Sequence, residues 1–159
     1  DQSDTYKAIT EFQKFTEDFP DSRYRKEATR LIFVMQDKLI EKEYAAAKLY
    51  FDLGTYFGTS SSSSSGNNYE ACVVTAQNAI SDFPYSERRE DFAILILRAK
   101  FELAEQSVES KKTERFQNAI DEYYGFVNEY PKSKFLPKAT LLFNRAKAFM
   151  AKPQNIAQS

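Results

Sequence analysis

Three times the chain ends an amphipathic stretch with an aromatic residue, a proline, any residue and a serine: "DFPDS" (Asp18 to Ser22), "DFPYS" (Asp82 to Ser86) and "EYPKS" (Glu129 to Ser133). Proline lacks an amide donor and disfavours helical backbone in the residue before it, so it stops a helix. A serine two residues later is suited to cap the start of the next one. Aligned on Pro20, Pro84 and Pro131, the segments upstream fall into register. Twelve residues back stand Ala8, Cys72 and Ala119; eleven back, Ile9, Val73 and Ile120; eight back, Phe12, Ala76 and Tyr123. Five back are Phe15, Ala79 and Phe126, and one back are Phe19, Phe83 and Tyr130. These steps of three and four trace one apolar helical stripe, repeated.

A stripe that recurs with the same corner describes helix pairs that complete their cores by stacking. Glycine is scarce, at 4 of 159 residues, and no stretch alternates apolar and polar as a half-buried strand does. The expected fold is all-α: one tetratricopeptide-like helical-repeat domain over 1–159. Its helices are expected at 4–19, 22–57, 68–83, 86–109, 113–130 and 134–151. The second is the unusual one. Between Ser22 and Phe57 there is no proline and no glycine before Gly54. The apolar positions Tyr24, Ala28, Leu31, Met35, Leu39, Ala46, Tyr50, Leu53 and Phe57 run on through it. The spacing predicts one helix of about 50 Å, weakened but not broken at "EKE" (Glu41 to Glu43).

The end of that helix, "YFDLGTYF", supplies Tyr50, Leu53, Gly54 and Phe57 and resembles the tetratricopeptide pattern W-x2-L-G-x2-Y. In that pattern the closing proline follows the first aromatic by roughly 28 residues, whereas Pro84 comes six residues later than that. The run Ser60 to Ser65 supplies six residues. The stretch 59–67 is therefore expected to be a flexible serine-rich insertion between two helices, with Gly58 ending one helix and Asn67 or Asn68 capping the next. Lengthening a flexible loop costs only about 0.6 kcal/mol per doubling. Deleting Ser60 to Ser65 should leave the melting temperature unchanged or slightly raised, and calorimetry of the shortened chain checks this.

Composition removes whole classes of function. With no histidine and one cysteine, the chain offers no catalytic triad, no Cys–His dyad and no ordinary zinc site. Neither a cofactor nor a metal is expected. A net charge of −1 gives no basic excess for nucleic acid. The longest apolar run, "FAILIL" (Phe92 to Leu97), is far below the ~20 residues of a membrane span. No glycine-rich phosphate loop is present. Cys72 occupies the small-residue slot of the stripe and reads as core. The carboxylates of "DEYY" (Asp121 to Tyr124) lie off the stripe, as a solvated face does. The chain reads as a binding protein and not an enzyme.

The corners, the long helix with its ending "EYAAAKLYFDLGTYFG", and the following "NYEACVVTAQNAISDFPYS" together resemble the BamD family of outer-membrane assembly lipoproteins. The resemblance covers Tyr6 to Tyr130 and implies a periplasmic, non-catalytic scaffold of the machinery that assembles β-barrel proteins. It implies docking on the barrel subunit and membrane attachment through an N-terminal lipid anchor. Members begin with a lipid-modified cysteine and two further repeats, so this chain corresponds to the C-terminal half. It adds the segment Phe135 to Met150, expected to cap the array. Other periplasmic repeat adaptors, of cell-division or Tol-system type, share the corner, and a repeat domain cut from an enzyme is a third possibility.

In that family the later repeats dock the partner, which makes the cations and tyrosines beside the stripe there the candidate site: Arg88, Arg89, Arg98, Tyr123 and Tyr124. "SERRED" (Ser86 to Asp91) places Arg88 and Arg89 in a first helical turn, which the macrodipole disfavours. Either Glu87, Glu90 and Asp91 neutralise them or they meet an acidic partner. Exposed tyrosines are favoured interface anchors. Earlier in the chain, "YRKEATR" (Tyr24 to Arg30) is either a solvated face or a grip for an acidic segment.

Overall fold

The three corners have one geometry. In the computed structural model, which describes residues 2–57 and 67–151, the residues before the prolines share one unusual backbone conformation. Phe19 has φ −128° and ψ 64°, Phe83 −125° and 65°, and Tyr130 −124° and 62°. Each donates its amide to the carbonyl four residues back: Phe19 to Phe15, Phe83 to Ala79, Tyr130 to Phe126. Each then accepts from the serine amide three residues on, at 3.0–3.1 Å. The serine hydroxyl oxygen in turn accepts an amide two residues ahead: Tyr24 on Ser22 at 3.2 Å, Arg88 on Ser86 at 3.0 Å, Phe135 on Ser133 at 2.9 Å.

Among the described residues the structure is all helix: α1 Ser3–Asp18, α2 Arg25–Phe57, α3 Asn68–Asp82, α4 Arg89–Glu105, α5 Glu109–Glu129 and α6 Leu136–Met150. All six expected helices are present, and α2 is a single helix of 33 residues. Two details differ from expectation. The serines cap a turn that precedes each helix proper, so α2, α4 and α6 start at 25, 89 and 136 rather than at 22, 86 and 134. The carbonyls of Ser22, Ser86 and Ser133 accept the amides three residues on, and that tighter turn leads into the helix. The second difference is the α4–α5 junction, which falls at 106–108 and not at 110–112. There the Ser107 hydroxyl turns back to the Leu103 carbonyl and accepts from Arg115 Nη1 at 2.6 Å. Val108 is extended at φ −61° and ψ 149°. No proline or glycine advertises this break. The α3 start does follow expectation, because Asn67 accepts the Tyr69 amide at 2.7 Å. The serine run Ser60 to Ser65 lies outside the described residues.

Residues Asp1–Glu43 and Tyr44–Ser159 form two compact units, and α2 begins in the first and ends in the second. In the first unit the buried side chains are Ile9, Ala28, Ile32, Leu39 and Ile40. The second unit is organised around α4. Every residue of "FAILIL" is at most 8% exposed, as expected of a helix apolar on all sides. α4 packs on α3, α5 and α6, and the ring of Phe92 meets Tyr44 of α2 edge-on at 5.4 Å. One core cluster gathers Leu97, Phe101, Phe116, Ile120, Phe126 and Leu142 from α4, α5 and α6. Small residues allow this approach: Ala104 and Ala139 are fully covered.

Candidate partner-binding site

The five residues singled out from the sequence occupy three separate places on the second unit. The first is a clasp between corners. Arg89 donates to the Pro84 carbonyl of its own corner at 2.9 Å and to Glu129 Oε1 at 2.7 Å. The Tyr130 hydroxyl donates to that same oxygen at 3.1 Å. Hydrogen bonding with Tyr130 and Glu129 holds the Arg89 pKa above its ordinary value. Beside it the Ser133 hydroxyl donates to Glu90 Oε1. The α3–α4 corner is thus fastened to the α5–α6 corner through the two residues that open α4. Arg89 finds its counter-charge on another helix, which spacing along "SERRED" could not reveal.

The second place is the seam of α2 and α4. Arg88 pairs with Asp91 at 3.1 Å and lies over the Tyr44 ring at 4.8 Å. Ten residues later Arg98 lies over the Phe51 ring at 4.4 Å. Tyr44 and Phe51 are seven apart on α2, two turns on one face, so each arginine covers an aromatic of the same stripe. A guanidinium over an aromatic face is worth roughly 0.5–2 kcal/mol. Arg88 also has the near carboxylate that was one of its two sequence readings. Arg98 has no carboxylate partner among the described residues.

The third place is aromatic. Tyr123 stacks on Phe143 of α6 at 4.3 Å and 17°, with its hydroxyl 3.3 Å from Thr140 Oγ1. Tyr124 meets the edges of Phe143 at 5.4 Å and of Tyr123 at 5.6 Å, yet stays 55% exposed. Tyr123 is half-buried and so belongs largely to the packing of α5 on α6, while Tyr124 presents its ring outward. Sequence reasoning missed Phe143, Glu129 and Tyr130 because their roles depend on which helices become neighbours.

Several other charged residues pair within their own unit. In the first unit Arg30 pairs with Glu27 at 2.6 Å, and the Arg23 guanidinium lies over Tyr24 at 4.7 Å. In the second, a groove of about 220 Å³ lined by Val73, Val74 and Leu103 is edged by ion pairs, Arg115 with Glu70 at 3.0 Å and Lys100 with Glu122 at 2.5 Å. Among the described residues no acidic, thiol or imidazole cluster has the makings of a metal site, and no helix is long and apolar enough to cross a membrane.

Cys72 is fully buried in the slot expected of it. Burial pushes its thiol up to about 12, so it stays protonated where an exposed thiol, near pH 8.5, would ionise. In the unfolded chain the thiol ionises first. Stability should therefore fall as pH rises from about 8.5 toward 12, and a Cys72→Ala variant should lose that part of the slope in urea titrations. Native protein should also resist a thiol-specific reagent that reacts at once with the denatured chain.

Comparison with known proteins adds one finding. Residues 1–61 match the family model of YfiO, an outer membrane lipoprotein. This is the family that the corner and the long helix resemble. The matched stretch holds α1, the first corner and all of α2, and it ends within the serine run. No curated protein matches the chain.

Proposed function

We propose that this chain is a non-catalytic docking scaffold of the machinery that assembles β-barrel proteins in the outer membrane, acting on its periplasmic side. The observation that carries the reading is the match of residues 1–61 to an outer membrane lipoprotein family, joined to a helical architecture whose corner recurs at Pro84 and Pro131. Repeat arrays work by presenting extended surfaces. Here such a surface carries an outward tyrosine, Tyr124, and Arg98, whose guanidinium lies over Phe51 and pairs with no carboxylate among the described residues. The barrel subunit's periplasmic domains are the proposed partner, with Arg88, Arg89, Arg98, Tyr123 and Tyr124 as the proposed contact set. Within it the geometry favours Arg98 and Tyr124 as the residues that reach a partner, with the other three holding the surface in shape.

A photo-crosslinking residue at position 124 tests this. In cells, irradiation should yield an adduct with a periplasmic domain of the barrel subunit, and the same residue at Tyr85, 98% exposed on a corner, should yield much less. Adducts of equal strength from both positions, or none from 124, would remove Tyr124 from the interface.

A further inference from the structure

α4 and α6 lie side by side, and their facing stripes can be read rung by rung. Glu105 and Arg145 form one rung, an ion pair at 2.5 Å, with the Arg145 guanidinium also over the Phe101 ring at 4.9 Å. Seven residues earlier on both helices, two turns back on the same faces, the rung is Arg98 and Lys138. By this register a cation of α4 stands opposite a cation of α6. Loss of water lowers the Lys138 pKa first, the charge of Arg98 adds to this, and the nearby Glu102 opposes it. Neither cation has a carboxylate partner among the described residues. Arg98 is also held in place by its stacking on Phe51 at 4.4 Å. Between the two rungs on α6 stands Leu141, 58% exposed and one turn beyond Lys138.

We propose that the Arg98–Lys138 rung receives the side-chain carboxylate of an acidic segment of a partner protein, with an apolar residue of that segment resting on Leu141. Charge complementarity selects the occupant. The rung two turns away shows what this helix pair does with a carboxylate between the same two faces, and only an incoming acid completes the second rung in that way. A carboxylate bound beside Arg98, already ordered on Phe51, also avoids part of the entropy cost that makes exposed ion pairs weak. The inference deepens the docking reading, on which it rests, by giving the partner segment its chemistry and adding Lys138 to the site.

The test uses the full chain and a short fluorescein-labelled peptide of alternating glutamate and leucine, with its glutamine counterpart as blank. Lys138→Glu should convert the rung into an internal ion pair, so the melting temperature rises while peptide binding weakens by about tenfold or more. Lys132→Glu, the same change of net charge on the exposed α5–α6 corner, should leave binding within about twofold. The glutamine peptide should bind no variant measurably. Equal weakening by Lys132→Glu would show a diffuse field and overturn the site. So would unchanged binding by Lys138→Glu, even if position 124 still crosslinks to the barrel subunit. That second pattern would leave the docking reading standing without this rung.

Discussion

Replacing Phe101 by alanine should cost about 3–5 kcal/mol, the range for deleting a buried aromatic ring. The ring is 1% exposed, one turn before the end of α4. It meets Phe116 edge-on at 5.7 Å and carries the Arg145 guanidinium on its face at 4.9 Å. Truncation therefore opens a cavity among α4, α5 and α6 and removes the surface that orients one half of the Glu105–Arg145 pair. The surroundings have little room to collapse, because Ala104 and Ala139 nearby are already minimal and fully covered. With total stability of a domain near 5–15 kcal/mol, the variant should sit close to unfolding. Urea titration should show a much lower midpoint with an unchanged slope. A loss below about 1 kcal/mol would mean that the cluster is not a packed core.

Gly54→Ala should also destabilise, although alanine is the better helix former. A Cβ at position 54 would stand 2.8 Å from two atoms of the Tyr69 ring. That ring cannot step aside. It is fully buried, meets Phe51 edge-on at 5.6 Å, and its hydroxyl accepts from Gln106 Nε2 at 3.0 Å. Overpacking of this kind costs about 1–3 kcal/mol, against a propensity gain of about 1 kcal/mol. Gly125 is the matched control. It lies inside α5, and a Cβ there meets nothing within 4 Å. Gly125→Ala should therefore raise stability by roughly 0.5–1 kcal/mol. Calorimetry of the two variants should give melting shifts of opposite sign, and shifts of the same sign would contradict the packing of α2 on α3.

The contrast between these two glycines shows what a sequence of this kind makes legible. Gly54 stands at the glycine position of the tetratricopeptide-like pattern, and its close approach to Tyr69 follows from that pattern. The corners were legible for the same reason: proline and serine act on their own neighbours, so spacing alone carries the information. "FAILIL" reads in the sequence only as an apolar run too short for a membrane span, and its cover on every side is a finding of the structure. Local chemistry was less clear where no breaker marks it, as at 106–108, where Ser107 and Arg115 end α4 by contacts that span the junction. The candidate site was legible only as a set of residue types. Whether Arg89 is spoken for depends on Glu129, forty residues away, and whether Arg98 and Lys138 repel depends on the pairing of α4 with α6. Those are facts of tertiary arrangement, and charge patterning along one helix does not contain them.

The most direct test of the scaffold account is a binding titration of the 159-residue chain against the purified periplasmic domains of the barrel subunit from the same cell. The account predicts a saturable one-to-one complex that weakens as salt rises, because arginine contributes to it, and that Tyr124→Ala weakens by about tenfold, as for an interface anchor. An absence of binding at high protein concentration, or full binding by Tyr124→Ala combined with Arg98→Gln in a variant that melts as the natural chain does, would contradict it.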